Sequence, residues 1–567
     1  MTPEERARIY SNDYADLLIE YSGDQSILDS FQDATIHIIN DTFAVVRVPV
    51  SQITGMTIVE LGYSVIPSCF GPIGSLSIES SGISKLRNVP NFNLRGQGVL
   101  VGIIDSGIDY TNPIFTKADN TTRIVSIWDQ SIDSDNKSPE NTYYGTEYSA
   151  SLINQALKSN NPREIVPTVD EVGHGTMLAG IAAGKEDPDN NFYGVATDSE
   201  YVIVKLKEAK ENLRDFFMIP DGAVCYQEND ILFGLEYVSH VALKLKRPIA
   251  ICVALGTAQG AHDGRGSLSN FLSILGQNTG VGIVVAAGNE GNAKRHYFGM
   301  VDSKVGYDTV ELNVGQEEKG FSMELWGTAP SVFSIDILSP TGESIPRIPA
   351  RLDENKDISF IFEKTIIHVD YQMVESQSGD QLILMRFSNP TPGIWRFRVY
   401  RSGDLETGFH IWLPMERFIS NETFFIRSDP ETTVLSLGNA VTPITLTAYN
   451  YENESIYLNA SKGYSRINMI TPTIAAPGVN VVAPLVGGGF ASFTGTSVAA
   501  AHTAGVVAMM LEWGIVKGNF TSMDTVDIKN FLIRGAIRSP NNTYPNKIWG
   551  YGILDIFRTF DALKFDV

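Results

Sequence analysis

Four uninterrupted apolar runs constrain the fold of this chain more than any other feature of its sequence. They read VLVGIID at 99–105, YVIVKL at 201–206, IAICVAL at 249–255 and VGIVVAAG at 281–288. Runs of this kind suit the central strands of a parallel sheet, because helices cover both faces of such strands. The sequence therefore predicts an α/β domain with a parallel sheet flanked by helices.

The character of the sequence changes between 305 and 430, where short segments alternate polar and apolar residues. Examples are FSMELW at 321–326 and IWRFRVY at 394–400, and Gly, Pro, Asn and Asp separate the segments. This pattern is typical of a β-sandwich. We therefore expect an all-β domain that divides the α/β domain into a first part, 76–304, and a second part, 431–567.

A smaller unit is predicted ahead of this core. The opening residues are polar and helix-like, and the run ATIHIINDTFAVVRVPV at 34–50 favours strands. A Gly/Ser-rich stretch at 71–84 then has the composition of a linker. Residues 1–75 are therefore predicted to form an N-terminal α+β domain.

The charge balance of the chain argues against one class of partner. Its 567 residues include 43 Lys and Arg against 65 Asp and Glu, which gives a formal net charge of −22. A surface this acidic repels phosphate backbones, so we expect no nucleic-acid partner.

Cellular location is predicted from the N-terminus and from the longest apolar stretch. The first twenty residues carry charges throughout and contain no apolar core of a signal peptide. The stretch 498–516 contains His502 and Glu512, which favours a buried core helix over a membrane span. We therefore expect a protein that is made in the cytoplasm and has no membrane partner.

Three short motifs in the α/β portion carry the candidate chemistry. GIIDSGID places Asp105 just after an apolar strand, EVGHGTMLAG places His174 at the entry of a small-residue helix, and TGTSVAAAHTAG places Ser497 at the start of another helix. Each motif alone is weak evidence, but their joint occurrence in these strand and helix contexts is strong.

The three residue types fit nucleophilic attack on a carbonyl. A serine hydroxyl is a poor nucleophile at neutral pH, so a base such as His174 must take its proton. Asp105 would hold the imidazole in the required tautomer, and the helix start at Ser497 would direct backbone N–H groups at the developing oxyanion. The segment AAGNEG adds Asn289 as a second donor to that oxyanion.

With these motifs the chain resembles the subtilisin-like serine proteases, the subtilases, whose chain order is also Asp, His, Ser. The resemblance covers about 98–300 and 430–567. It includes APGVNV at 476–481 and WGYGILD at 549–555.

The resemblance implies a role for each candidate residue. Asp105, His174 and Ser497 would be the catalytic triad, and Asn289 would be the oxyanion donor. Two strands would pair with an extended substrate. Their residues are Val253, Ala254, Leu255 and Gly256 in one, and Ala286, Ala287 and Gly288 in the other.

Within this family the chain is similar to the clostridial Csp germination proteases, which activate a spore-cortex hydrolase. IWDQSI at 127–132 and LGTAQGAHDGRGSL at 255–268 carry that similarity, together with the order of the predicted domains. It implies that 1–75 is a prodomain, which acts as intramolecular chaperone and inhibitor, and that the insert is a jelly roll. The expected partners are the chain's own prodomain and a protein substrate, the pro-form of a cortex hydrolase.

Self-cleavage is expected between about 69 and 76, where an apolar run meets the linker. Two other readings of the function stay open: a housekeeping intracellular subtilase, and a pseudoprotease that regulates by binding. The filled triad argues against the second.

No cofactor is expected, although the sequence leaves a structural Ca²⁺ open. Asp133, Asp135 and Asn136 could ligate such an ion, but a solvated acidic loop is the favoured interpretation. His262 and Asp263 are interpreted as turn residues, with contact to substrate as the alternative.

Overall fold

The N-terminal part of the chain folds around a three-stranded antiparallel sheet. The computed structural model describes residues 1–31, 34–53, 61–72, 93–134, 137–190, 192–350 and 355–563. The first helix, Pro3–Tyr10, begins with a capping box between Thr2 and Glu5. The sheet has the order β1-β3-β2. The strands of this part are β1 (Tyr14–Glu20), β2 (Thr35–Ile38), β3 (Phe43–Pro49) and β4 (Cys69–Pro72).

The first part of the α/β domain contains the predicted apolar strands. All six residues of β5 and of β12 are buried, as expected for strands covered on both faces. The strands are β5 (Leu100–Asp105), β6 (Ile124–Asp129), β7 (Thr146–Ser149), β8 (Glu200–Lys205), β9 (Tyr226–Gln227), β10 (Ile249–Val253), β11 (Leu255–Gly256) and β12 (Val281–Ala286).

Two sheets then pack face to face around an apolar core of their own. One has the order β13-β22-β15-β20-β19-β18 and the other β17-β16-β21-β14-β23. The sandwich begins earlier than the predicted start at 305, with β13. The sequence did not predict this strand, because it is short and lacks a clear alternation of polar and apolar residues. The strands are β13 (His296–Met300), β14 (Tyr307–Val314), β15 (Gly320–Gly327), β16 (Val332–Leu338), β17 (Ser344–Ile348), β18 (Asn355–Ser359), β19 (Ile366–Gln372), β20 (Gln381–Ser388), β21 (Gly393–Ser402), β22 (Gly408–Trp412) and β23 (Phe424–Phe425).

The chain returns to the α/β domain and completes its central sheet. The remaining strands are β24 (Ile444–Asn450), β25 (Ser455–Ile456), β26 (Ile474–Pro477), β27 (Val481–Pro484) and β28 (Phe490–Phe493). The central sheet has the order β25-β24-β12-β10-β5-β8-β6-β7, and β26 pairs with β24. It is mixed rather than fully parallel, because β7 and β25 pair antiparallel with their neighbours.

Nine helices belong to the described residues of the α/β domain. They are Ala150–Leu157, Pro162–Ile165, His174–Ala183, Glu211–Phe216, Glu228–Leu245, Ser267–Leu275, Thr496–Leu511, Thr525–Gly535 and Ile556–Ala562. We name His174–Ala183 the histidine helix and Thr496–Leu511 the serine helix.

Alternate side chains of the central strands fill two separate cores. Val101 and Ile103 belong to the core on the side of the histidine and serine helices, whereas Leu100 and Ile104 pack with the helix Glu228–Leu245 on the opposite side. All sixteen residues of the serine helix are buried. By length and composition the segment Thr496–Val516 could cross a membrane, the one such helix among the described residues, yet 89% of its most apolar stretch is buried inside the protein.

A buried charge cluster joins the N-terminal domain to the α/β domain. Asp16 lies 3.1 Å from Arg47 Nε and 2.7 Å from Lys210 Nζ, and it also accepts hydrogen bonds from Gln227 and Asn229. All five residues are at most 6% exposed. We name this contact the N-terminal seam.

A stack of aromatic rings joins the β-sandwich to the α/β domain. Trp412 lies between His262 of the α/β domain and His296 of β13, with ring centroids 4.1 and 4.9 Å away. His410 stacks on the same tryptophan, and its Nδ1 lies 2.9 Å from His296 Nε2. We name this contact the sandwich seam.

Candidate active site

The structure brings Asp105 and His174 into direct contact. Asp105 is the last residue of β5 and His174 is the first residue of the histidine helix. The two carboxylate oxygens lie 2.8 and 2.9 Å from His174 Nδ1. Asp105 is fully buried and its Oδ1 also accepts the N–H of Ser106. The arrangement suits a carboxylate that fixes the tautomer and orientation of an imidazole base.

The start of the histidine helix is held by residues that the sequence motifs did not identify as functional. Asp170 accepts hydrogen bonds from the N–H groups of Gly173 and Thr176 and from the Thr176 hydroxyl, at 2.6 to 2.8 Å. Gly175 is required by packing, because a Cβ there would lie 2.2 Å from the carbonyl oxygen of Gly107. An acidic residue just before a helix start is the sequence signal that could have identified Asp170.

Ser497 is the second residue of the serine helix, where backbone N–H groups lack partners within the helix. Its side chain is fully buried, and its Oγ makes no hydrogen bond to any residue that the structure describes. A hydroxyl at this position faces the positive end of the helix dipole.

Asn289 is tied to the start of the serine helix. Its Oδ1 accepts hydrogen bonds from the backbone N–H and the hydroxyl of Thr496, both at 3.2 Å. The Thr496 hydroxyl in turn accepts the N–H of Gly288. Within the described part of the chain no hydrogen bond uses Asn289 Nδ2, so this amide can donate to a ligand next to Ser497.

The strand β4 lies between two short strands of the α/β domain. It pairs antiparallel with β11, where Gly71 is opposite Gly256, and with β9, where Phe70 is opposite Tyr226. An extended segment of the N-terminal domain thus adds a strand to the α/β domain, as a peptide substrate does in strand addition.

Only some of the predicted substrate-strand residues lie beside β4. Leu255 and Gly256 form the pairing strand, while Val253 ends β10 and Ala254 separates the two strands. The sequence predicts Ala286, Ala287 and Gly288 as the second strand. In the structure β9 is the second strand that pairs with β4. Neighbouring segments occupy Ala287 and Gly288: their N–H groups donate to Leu446 and Thr496, and their carbonyls accept from Leu435 and Ser461.

An open groove of about 600 Å³ lies beside His174. Leu485, Val486 and Phe493 line one part of it, and Met177 contributes from the histidine helix. Arg417 reaches the same groove from the loop between β22 and β23. We name that loop, residues 413–423, the cover loop; its place at the cleft has no signal in the sequence.

Three other residues singled out in the sequence are buried. Both ring nitrogens of His262 contact backbone carbonyls, those of Val434 and Ala258, and Asp263 is buried 3.6 Å from Arg466. His502 is buried within the serine helix. The described contacts of these three residues are therefore with other parts of the protein.

Two predictions fall partly on residues outside the described ranges. The self-cleavage window of 69–76 is described only up to 72, and Asp135 and Asn136 are not described. Asp133 pairs with Arg6. In the described ranges no group of three or more His, Cys, Asp or Glu is arranged to hold a metal ion.

Residues 96–552 match the model of the Subtilase family. The solved structure of the CspB protease of Clostridium perfringens is similar at 30% sequence identity with a TM-score of 0.76, over 86% of this chain and 97% of that one.

Curated relatives match at lower identity or over shorter stretches. Subtilisin-like protease SBT3.15 of Arabidopsis thaliana is 23% identical over 480 residues, 79% of this chain. Alkaline elastase YaB of Bacillus sp. is 43% identical over 70 residues, 12% of this chain. The chain spans about half the length of the first, 56%, and 17% of the second.

Proposed function

The chain belongs to the subtilase family of serine endopeptidases, and from that premise we propose that Asp105, His174 and Ser497 are its catalytic triad. Asn289 is the proposed oxyanion donor. The direct contact of Asp105 with His174 Nδ1 supports these roles, as does the hydrogen bonding of Asn289 to the residue before Ser497.

The proposed reaction uses these groups in a fixed order. Ser497 Oγ bonds to the scissile carbonyl carbon while His174 Nε2 takes the hydroxyl proton, and Asp105 stabilises the resulting imidazolium. The carbonyl oxygen becomes an oxyanion that Asn289 Nδ2 and the N–H groups at the helix start stabilise. His174 then gives the proton to the leaving amine, and water releases the acyl group from Ser497 by the reverse proton transfers.

The proposed first substrate is the chain's own prodomain. The observation that carries this proposal is the pairing of β4 with β9 and β11, because an antiparallel strand in that position presents its backbone as a substrate does. We propose that cleavage falls within the expected window of 69–76, away from Pro72, and that β4 afterwards occupies the cleft as an inhibitor.

Expression of Ser497→Ala beside the wild-type chain tests this proposal. We expect the wild-type chain to be cut and the variant to remain full length, because loss of the nucleophile lowers the rate by about 10⁴ or more. Ser151→Ala, at an exposed helical position, is the matched control and should be cut normally. A fragment cut equally in both variants would reject self-processing by Ser497.

The proposed later substrate is a spore-cortex hydrolase zymogen, in a protein made in the cytoplasm and carried in the spore. Similarity to the C. perfringens CspB protease supports this assignment. Incubation of the processed enzyme with a candidate precursor, followed by sequencing of the new N-terminus, tests it. Labelling of Ser497 by a fluorophosphonate without precursor cleavage, with protein present in vegetative cells, would favour the housekeeping protease. Absence of labelling would favour the pseudoprotease.

A further inference from the structure

Gly71 lies at the centre of β4, the strand that pairs with β9 and β11. It pairs with Gly256, and because it follows Phe70 in the strand, the side-chain positions of these two residues point to opposite faces of β4. Phe70 is 1% exposed and packs in the core that includes Leu255 and Leu268. The Gly71 face is therefore the other side of the strand.

The cover loop of the β-sandwich closes that face. A Cβ built on Gly71 would lie 3.3 Å from Phe418 Cζ and 3.4 Å from Met415 Cε. The φ of Gly71 lies outside the left-handed region, so its backbone would accept any residue. The size of the side chain at position 71 is therefore limited by Phe418 and Met415 and not by the backbone conformation.

The cover loop is held in place by the segment that carries the proposed oxyanion donor, Asn289. Glu290, next to Asn289, accepts the N–H of Glu416 at 3.1 Å and pairs with Arg295 at 2.9 Å. Both Met415 and Phe418 are at most 4% exposed, and the Phe418 N–H donates to the Met415 carbonyl. A loop bound in this way cannot retreat as a free surface loop would.

We propose that Met415 and Phe418 determine substrate specificity by selecting glycine at the substrate position opposite Gly256. The proposal rests on the proposed function, because it assigns the substrate register from the prodomain strand. It makes the inserted β-sandwich part of the substrate cleft, and it defines the substrate class as peptides with a glycine at this position.

Self-processing of full-length variants tests whether Met415 and Phe418 restrict the residue at position 71. We expect Gly71→Leu to slow cleavage by about tenfold to a hundredfold, the range for overpacking a closed site, and Gly71→Ala by less than about fivefold. Adding Phe418→Ala to Gly71→Leu should restore most of the rate. Gly266→Leu is the matched control, because that glycine has nothing within 4 Å of its Cβ position and a negative φ. Normal cleavage of Gly71→Leu would overturn the proposal.

A peptide assay keeps the test independent of variant folding. Processed wild-type enzyme, separated from its cut prodomain so that β4 no longer fills the cleft, is given peptides of residues 64–80 with glycine or leucine at position 71, and kcat/KM is compared. We expect the glycine peptide to be preferred by at least about tenfold, and the preference to fall in Met415→Ala/Phe418→Ala. Equal cleavage of the two peptides by an enzyme that a fluorophosphonate labels would overturn the specificity and leave the function standing. Absence of both labelling and cleavage would overturn both proposals.

Discussion

The two seams hold separate domains on the same α/β core by opposite physical means. At the N-terminal seam, Asp16 lies between Arg47 and Lys210 in a fully buried ionic cluster. At the sandwich seam, His296 and His410 stack on Trp412 as neutral rings. One contact depends on keeping charges paired, and the other depends on keeping two bases uncharged.

The pKa directions follow from these surroundings. Burial would raise the pKa of Asp16, but Arg47 and Lys210 outweigh it and hold that pKa well below its usual range. Burial lowers the pKa of His296 to about 3, and burial together with His296 lowers the pKa of His410 well below its usual value. Mild acid should therefore weaken the sandwich seam and leave Asp16 ionised, whereas His37, which contacts Arg47 and whose pKa burial lowers to about 3, adds an acid-sensitive group beside the N-terminal seam.

The largest expected effect comes from breaking the ionic cluster. Asp16→Asn leaves Arg47 and Lys210 buried without their carboxylate, which should cost about 3–5 kcal/mol of unfolding free energy. Denaturant unfolding in the uncut Ser497→Ala background measures it. Adding Lys210→Met should recover part of the loss, because one unpaired charge disappears. A loss below about 1 kcal/mol in Asp16→Asn would show that the cluster does not stabilise this seam.

The next effect is acid sensitivity of the sandwich seam. His296 Nδ1 donates to the Asp429 carbonyl, so its Nε2 accepts from His410 Nδ1 and both rings stay neutral. The unfolded chain binds more protons below about pH 6.5, so stability falls as pH falls. Between pH 7 and 5.5 we expect about 1 kcal/mol lost per histidine, measured by unfolding at both pH values.

A conservative variant isolates the histidines from other groups at this seam. The pKa of Glu324 is raised by burial, so its titration stabilises the folded chain as pH falls, opposite to the histidines. The nearby cation Arg466 disfavours protonation of His410. His410→Gln keeps a donor for His296 and cannot titrate, so it should remove the share of one histidine, about 1 kcal/mol, and leave the shares of His296 and of His262, whose pKa burial lowers to about 4. An unchanged pH dependence would contradict the assignment.

The smallest effect is expected at a partly exposed ion pair between the same two domains, Arg6 with Asp133, which lies outside the buried cluster of the N-terminal seam. Arg6 bonds Asp133 through its Nε at 2.7 and 2.8 Å, but the two side chains are 18% and 30% exposed. We expect Arg6→Ala to cost less than about 1 kcal/mol in the same unfolding assay, because water screens such pairs. A cost equal to that of Asp16→Asn would mean that burial does not decide which of these ion pairs stabilises the contact between the domains.

The sequence predicted the elements that local patterns specify. An apolar run followed by Asp105, and small-residue helices opening near His174 and Ser497, are each contained within about a dozen residues. Their meeting at one edge of a parallel sheet then follows from sheet topology. The antiparallel edge strands β7 and β25 were not predictable, because they are short and lack apolar runs.

Contacts between domains gave no comparable signal. Asp16 and Arg47 lie opposite each other on β1 and β3 of one sheet, and only the packing of the two folded domains brings Lys210 to them. The same holds for Met415 and Phe418, which look like ordinary loop residues until the sandwich folds back on the cleft. The two-residue strand β9 is too short for any periodicity to identify it.

The position of the β-sandwich between Asn289 and Thr496 has a consequence for the order of folding. Those two hydrogen-bonded residues are 207 positions apart, so the oxyanion segment and the serine helix can meet only after a long chain closure. In the folded sandwich, however, the entry strand β13 pairs directly with β22, the last strand but one, with His296 opposite Trp412. Early folding of the insert would shorten the effective loop and lower its closure entropy. The folded insert would thus bring the Asn289 segment and the serine helix close together before the α/β domain is complete.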